Sequence, residues 1–132
     1  MEKLTVQDFE LIQVAQEAIK GKYDGIGFLH TVGAALRTKQ GRIYRGINVY
    51  SIHGACAEQV ALGAAMTNGE KDFECIVAVE GESGENILSP CGNCRQILSD
   101  YAPDCFVILK GKEGFFKVKA KDLLPYPYET NY

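Results

Sequence analysis

The chain predicts an α/β layered domain, and three observations predict it. A near-continuous apolar run at residues 73–80 has the make-up of a strand covered on both faces. A second apolar run, residues 105–110, follows a helical stretch. Other segments carry apolar residues at helical spacing, so that strands and helices alternate along the chain. At 132 residues the length suits one domain, residues 1–132, that can bury a real core.

Each element has its own signals. In residues 6–20, Phe9, Ile12, Val14, Ala15, Ala18 and Ile19 recur at helical spacing; Thr5 or Asp8 can cap the start, and Gly21 stops it. Residues 31–38 and 43–49 read as two strands joined by the turn Lys39-Gln40-Gly41-Arg42. Residues 55–67 form a helix of small and apolar residues, closed by Asn68-Gly69 and able to pack closely on more than one side. After the strand at 73–80, a polar loop leads through Ile87-Leu88-Ser89 to a helix at 91–101. The strand at 105–110 turns through Gly111-Lys112-Glu113-Gly114 into a strand at 115–119, and a short helix at 120–124 ends the pattern. Five strands are expected in all.

Composition narrows the function. The net charge is -3 and the basic residues are scattered, which gives no electrostatic footprint for nucleic acid. No segment approaches the apolar length that spans a bilayer, and the N-terminus has no leader-like pattern, so a cytoplasmic location is expected. Five cysteines in such a chain point to metal or catalysis more than to disulfides. Cys75 and Cys105 sit within the apolar runs and read as small buried hydrophobes.

The other three cysteines lie in two short motifs, Cys56-Ala57-Glu58 and Pro90-Cys91-Gly92-Asn93-Cys94. Cys91 and Cys94 stand one helical turn apart and can chelate one zinc ion at Zn–S distances of ~2.3 Å. Alone, that pair also fits a thioredoxin-like redox motif. Redox chemistry leaves Cys56-Ala57-Glu58 unexplained. Three thiolates leave one zinc position open, as in catalytic sites, and Glu58 stands beside it as a general base and acid. The rival is a closed structural site, or a zinc-stabilised binding protein without turnover, with His53 as fourth ligand. Both motifs fall at predicted helix starts, where unpaired N–H groups stabilise thiolates. Arg95 is a cation placed to offset the remaining charge.

With these motifs in view, the chain resembles the zinc-dependent cytidine deaminase superfamily. The resemblance runs from Val32-Gly33-Ala34-Ala35 through Gly46-Ile47-Asn48 and both cysteine motifs to Leu123-Leu124-Pro125. Cys rather than His at position 56 is similar to the small homotetrameric nucleoside deaminases. The resemblance implies a three-layer α-β-α fold, with a mixed five-stranded sheet and helices on both faces. It also implies one Zn2+ per subunit on Cys56, Cys91 and Cys94, Glu58 as the catalytic proton shuttle, a homotetramer and a small-molecule nucleoside substrate. Asn48, Tyr50, Ala57, Ser89 and His30 are the implied substrate contacts, Asn48 at the sugar and the Ser89 carbonyl at the exocyclic amine.

Three departures refine the resemblance. Asn48-Val49-Tyr50 stands where ordinary members carry Asn-x-Glu, Gln59 stands where they carry Arg, and His30 replaces a pocket Phe. The Asn48-Val49-Tyr50 stretch, the missing Arg and the run from Ser89 to Leu109 resemble blasticidin S deaminases, which act on the cytosine ring of an antibiotic nucleoside; cytidine or deoxycytidine is the alternative substrate. Glu82, Glu85, Tyr126, Tyr128 and Tyr132 are candidates for meeting a cationic tail on such a substrate.

Overall fold

Residues 1–129 are described by the computed structural model; Tyr132 lies outside the described residues. The first helix, α1 (Val6–Ile19), begins where Thr5 and Asp8 cap each other. The Thr5 hydroxyl accepts from the Asp8 N–H at 3.2 Å, and the Asp8 carboxylate accepts from the Thr5 N–H at 2.9 Å. Strands β1 (Val32–Thr38) and β2 (Ile43–Ile47) form the expected hairpin. Then follow α2 (Ala57–Thr67), β3 (Phe73–Glu80), β4 (Asn86–Leu88), α3 (Gly92–Tyr101), β5 (Phe106–Gly111) and β6 (Gly114–Lys119). The final turn, Ala120–Leu123, is 3₁₀ rather than α-helical.

The sheet is mixed, in the order β2-β1-β3-β5-β6, with β3 and β5 parallel and the other pairs antiparallel. The five expected strands all take part, and β4 adds a sixth among the described residues. Three residues are too few to show a two-residue period, which is why β4 was not legible in advance. Strand β5 pairs with β3 at Cys75 and Ile76, and β4 takes over beside Ala78–Glu80. The chain thus enters the second cysteine motif from the sheet, a tethered approach rather than a free loop.

Alternation along the strands splits the core in two. Ala34, Leu36, Ile76, Ala78 and Val107 face α2 and α3, packing on Ala57, Ala61, Leu62, Ala65 and Leu98. Ala35, Cys75, Val77, Val79 and Ile108 face α1, packing on Leu11, Ile12, Ala15 and Ile19. Cys75 and Cys105 are both buried, as the apolar runs required. Two glycines set the helix-to-sheet distance. A Cβ at Gly33 would run into the Ala15 carbonyl of α1, and one at Gly46 would lie 2.7 Å from the Ala61 nitrogen of α2.

Candidate active site and metal centre

Cys56 and Cys91 are the residues immediately before α2 and α3, both in extended conformation. Two helix N-termini therefore converge on one point, with Cys94 on the first turn of α3. The Sγ atoms of Cys56, Cys91 and Cys94 all lie within 4.8 Å of one another. The Cys56–Cys91 separation is 3.6 Å. Sulfurs at ~2.3 Å from a tetrahedral zinc stand about 3.8 Å apart, so the donor set fits that ion in both type and spacing. His53 is not part of this ligand group.

The thiols differ in acidity. Burial pushes Cys56 up, and burial with the Glu58 charge pushes Cys94 far up. Burial also opposes ionisation of Cys91, but the Cys94 N–H, the neighbouring thiols and the Asn93 N–H outweigh it and draw Cys91 down. A divalent ion that takes all three as thiolates therefore displaces protons as it binds.

Beside the sulfurs is a cavity of about 320 Å³ whose wall includes Cys56, Cys91, Glu58, Ala57, Asn48, Tyr50 and Ser89. Glu58 is 8% exposed, and loss of water around its carboxyl raises its pKa. Among the described residues lining the cavity it is the single carboxylate. Asn48 lines the cavity while its side-chain oxygen is committed to the Thr31 and Val32 N–H groups, at 2.8 and 3.0 Å. Its amide nitrogen, 3.4 Å from the Thr31 hydroxyl, is the end left for a ligand. Tyr50 and His53 stand on a five-residue excursion pinned at its base by mutual Val49–Ala55 backbone bonds of 2.9 Å.

The other residues singled out in the sequence take the following places. His30 stands next to the cavity wall, its Nδ1 2.9 Å from the carbonyl of Asn48, which lines the cavity. Arg95 does not reach a sulfur. Its guanidinium donates to the Pro90 carbonyl at 2.8 Å, the Ser89 hydroxyl at 2.7 Å and the Leu123 carbonyl at 3.0 Å, which fixes the turn before Cys91. Glu82, Glu85, Tyr126 and Tyr128 are absent from the cavity wall, and the Glu85 carboxylate is occupied by the Ser83 N–H and hydroxyl. Gln59, noted in the sequence as standing where related enzymes carry Arg, had no role assigned to it there. Its amide donates to Cys94 Sγ at 3.7 Å. A Gln three residues after a helix cap was the available signal, since that spacing turns its side chain back toward the helix start.

Comparison with known proteins agrees with this geometry. Residues 6–110 match the family described as the cytidine and deoxycytidylate deaminase zinc-binding region. The chain is 41% identical to a blasticidin-S deaminase of Bacillus cereus, covering 97% of this chain and 96% of that protein. It is 34% identical to a cytidine deaminase of Halalkalibacterium halodurans, covering 87% and 89% of the two. The solved cytidine deaminase from Burkholderia pseudomallei superposes with a TM-score of 0.76 at 30% identity, over 95% of this chain and 100% of that one. Sequence, fold and metal-ligand chemistry lead to one assignment: the chain belongs to the zinc-dependent cytidine and deoxycytidylate deaminase family, hydrolases that deaminate small nucleosides.

Proposed function

We propose that this enzyme hydrolyses the exocyclic amine of the cytosine ring in blasticidin S, giving the uracil-type product and ammonia. The observation that carries the choice of substrate is Tyr50 at the cavity wall, in a site whose one lining carboxylate is Glu58. Ribose binding gains from a second carboxylate that accepts from a sugar hydroxyl, and a charge-assisted bond of that kind is worth about 1.5–3 kcal/mol. Its replacement by an aromatic ring favours a flatter sugar with fewer hydroxyls. The near full-length similarity to the Bacillus cereus blasticidin-S deaminase supports the same reading.

In this proposal Cys56, Cys91 and Cys94 hold zinc, which supplies the Lewis acidity that makes water nucleophilic near neutral pH. Glu58 takes a proton from the attacking water and passes it to ring N3, then takes the proton left on the new C4 hydroxyl and delivers it to the departing amine, which leaves as ammonia. Burial of Glu58 suits both halves of that task, because a raised pKa brings the acid and base forms closer in energy. The Ala57 N–H, one of the unpaired donors at the start of α2, faces a ring acceptor. The Ser89 carbonyl accepts from the exocyclic amine, on a turn that Arg95 holds rigid. Asn48 meets the sugar through its amide nitrogen.

We extend the proposal to a cytoplasmic homotetramer. Val49, Ile52 and Met66 are 49%, 96% and 37% exposed near the cavity mouth and on α2, apolar surface that subunit contact would cover. Sedimentation equilibrium is the check on assembly, and a monomer at micromolar concentration rules the tetramer out. For the substrate, the decisive assay follows ultraviolet absorbance with blasticidin S, cytidine, deoxycytidine and cytosine side by side. Blasticidin S should have the highest kcat/KM; a higher value for cytidine or deoxycytidine moves the enzyme to nucleoside salvage.

A further inference from the structure

We infer that Gln59 is a positioning residue for the metal centre, clamping the backbone of the first ligand with one end and the sulfur of the third with the other. Gln59 is the third residue of α2 and stands half-buried in the cavity wall. Its Oε1 is 3.4 Å from the Cys56 nitrogen, and its Nε2 is 3.7 Å from Cys94 Sγ. The orientation of the amide follows from chemistry. The Cys56 N–H can only donate, so the carbonyl end must face it. The NH2 end is then left toward Cys94, which as a thiolate can only accept.

The clamp joins the two motifs. Cys56 precedes α2 and Cys94 lies on α3, and Gln59 is a single side chain touching both. Cys94 is 1% exposed, so water cannot readily satisfy its sulfur once ionised. Among the described residues, Gln59 is the one side chain outside the three cysteines that hydrogen-bonds to a sulfur of the group. The guanidinium of Arg95 is engaged elsewhere. A neutral donor orients the sulfur without cancelling the formal charge of -1 that three thiolates and a divalent ion leave. That charge is offset here by the two helix N-termini.

Helix capping alone would also place a Gln at this position, and the two roles separate by substitution. Gln59→Glu keeps an oxygen for the Cys56 N–H but has no donor for sulfur. Gln59→Leu removes both ends, and Gln59→Arg restores a donor. Zinc retention is measured on the holoenzyme by titration with a chelator of known affinity. Cobalt-exchanged protein adds the thiolate-to-metal charge-transfer band, and far-ultraviolet circular dichroism checks that each variant is folded. Gln59→Glu and Gln59→Leu should weaken metal binding about 10- to 100-fold and shift the band, as loss of a ligand's supporting bond does. Gln59→Arg should bind within a few-fold of wild type. Wild-type affinity and an unshifted band in the Glu variant overturn the inference, because capping then accounts for Gln59 in full.

The inference rests on the three-thiol metal site and not on which nucleoside is turned over. A wrong substrate leaves these measurements unchanged. A folded wild-type protein that takes up no zinc or cobalt overturns both the inference and the proposed function.

Discussion

Glu58 shows how burial changes a residue's chemistry. On an open helix surface it would be an ordinary solvated carboxylate, whereas here it is nearly enclosed beside three sulfurs, with its pKa raised by lost hydration. Glu58→Gln keeps the shape and removes the proton carrier. The variant should retain metal and fold while kcat falls by about 10²–10⁴-fold, the usual worth of a positioned acid–base group; turnover near wild type would take Glu58 out of the mechanism. Tyr50 bears on selectivity instead. Tyr50→Glu should raise cytidine turnover relative to blasticidin S by about ten- to a hundredfold, the worth of a charge-assisted bond to ribose. An unchanged ratio of kcat/KM values would refute the account of sugar recognition.

At the scale of elements, the site is a meeting of two helix starts. Strand β2 delivers the chain toward α2, and the short β4 delivers it to Ser89 and Pro90 just before α3. A metal on these sulfurs therefore ties together two segments that arrive from strands separated in the sheet by β1 and β3. Cys91→Ser should lower metal content and thermal stability together, since binding energy at such a site is also folding energy. Metal analysis and a melting curve on the same sample provide the check, and a full complement of zinc in that variant would show that the ligand set is different.

Across the whole molecule, the α1 side of the sheet is held by a buried charge cluster far from the chemistry. The Asp8 carboxylate, fully buried, takes Arg37 and Lys117 at 2.8 Å each, joining α1 to β1 and β6. Burial alone would raise the pKa of Asp8, but Lys117, the Thr5 N–H and Arg37 overcome it and hold the carboxyl well below the usual range. Glu70, bonded by Arg42 and Tyr44, is lowered to about 2. Both folded-state values lie below those of the unfolded chain, so the stabilisation is complete only above the unfolded carboxylate range, from about pH 5 upward. It is lost as pH falls through the folded values, first for Glu70 near 2 and then for Asp8. Urea midpoints should therefore decline from about pH 5 downward. Asp8→Asn should cost about 3–5 kcal/mol at pH 7, because two buried cations lose their counter-charge; a change under 1 kcal/mol would mean that water reaches them.

The sequence alone determined the α/β layering and picked out the three cysteines that the structure gathers. Apolar runs, helical spacing and turn residues are local signals, and Cys56-Ala57-Glu58 with Cys91 and Cys94 is a pattern whose chemistry follows from residue type and spacing. What it left open depended on partners distant in the chain. Whether His53 closed the metal site was a matter of where a loop points, and the loop leaves His53 outside the group of three sulfurs. That Gln59 reaches a sulfur while Arg95 is held by Ser89 and Pro90 turned on hydrogen-bond geometry between α2, α3 and the Ser89–Pro90 turn. The contact of His30 with the Asn48 carbonyl is of the same long-range kind. Side-chain direction at a site assembled from several elements is set by packing, and packing exists only once the chain has closed on itself.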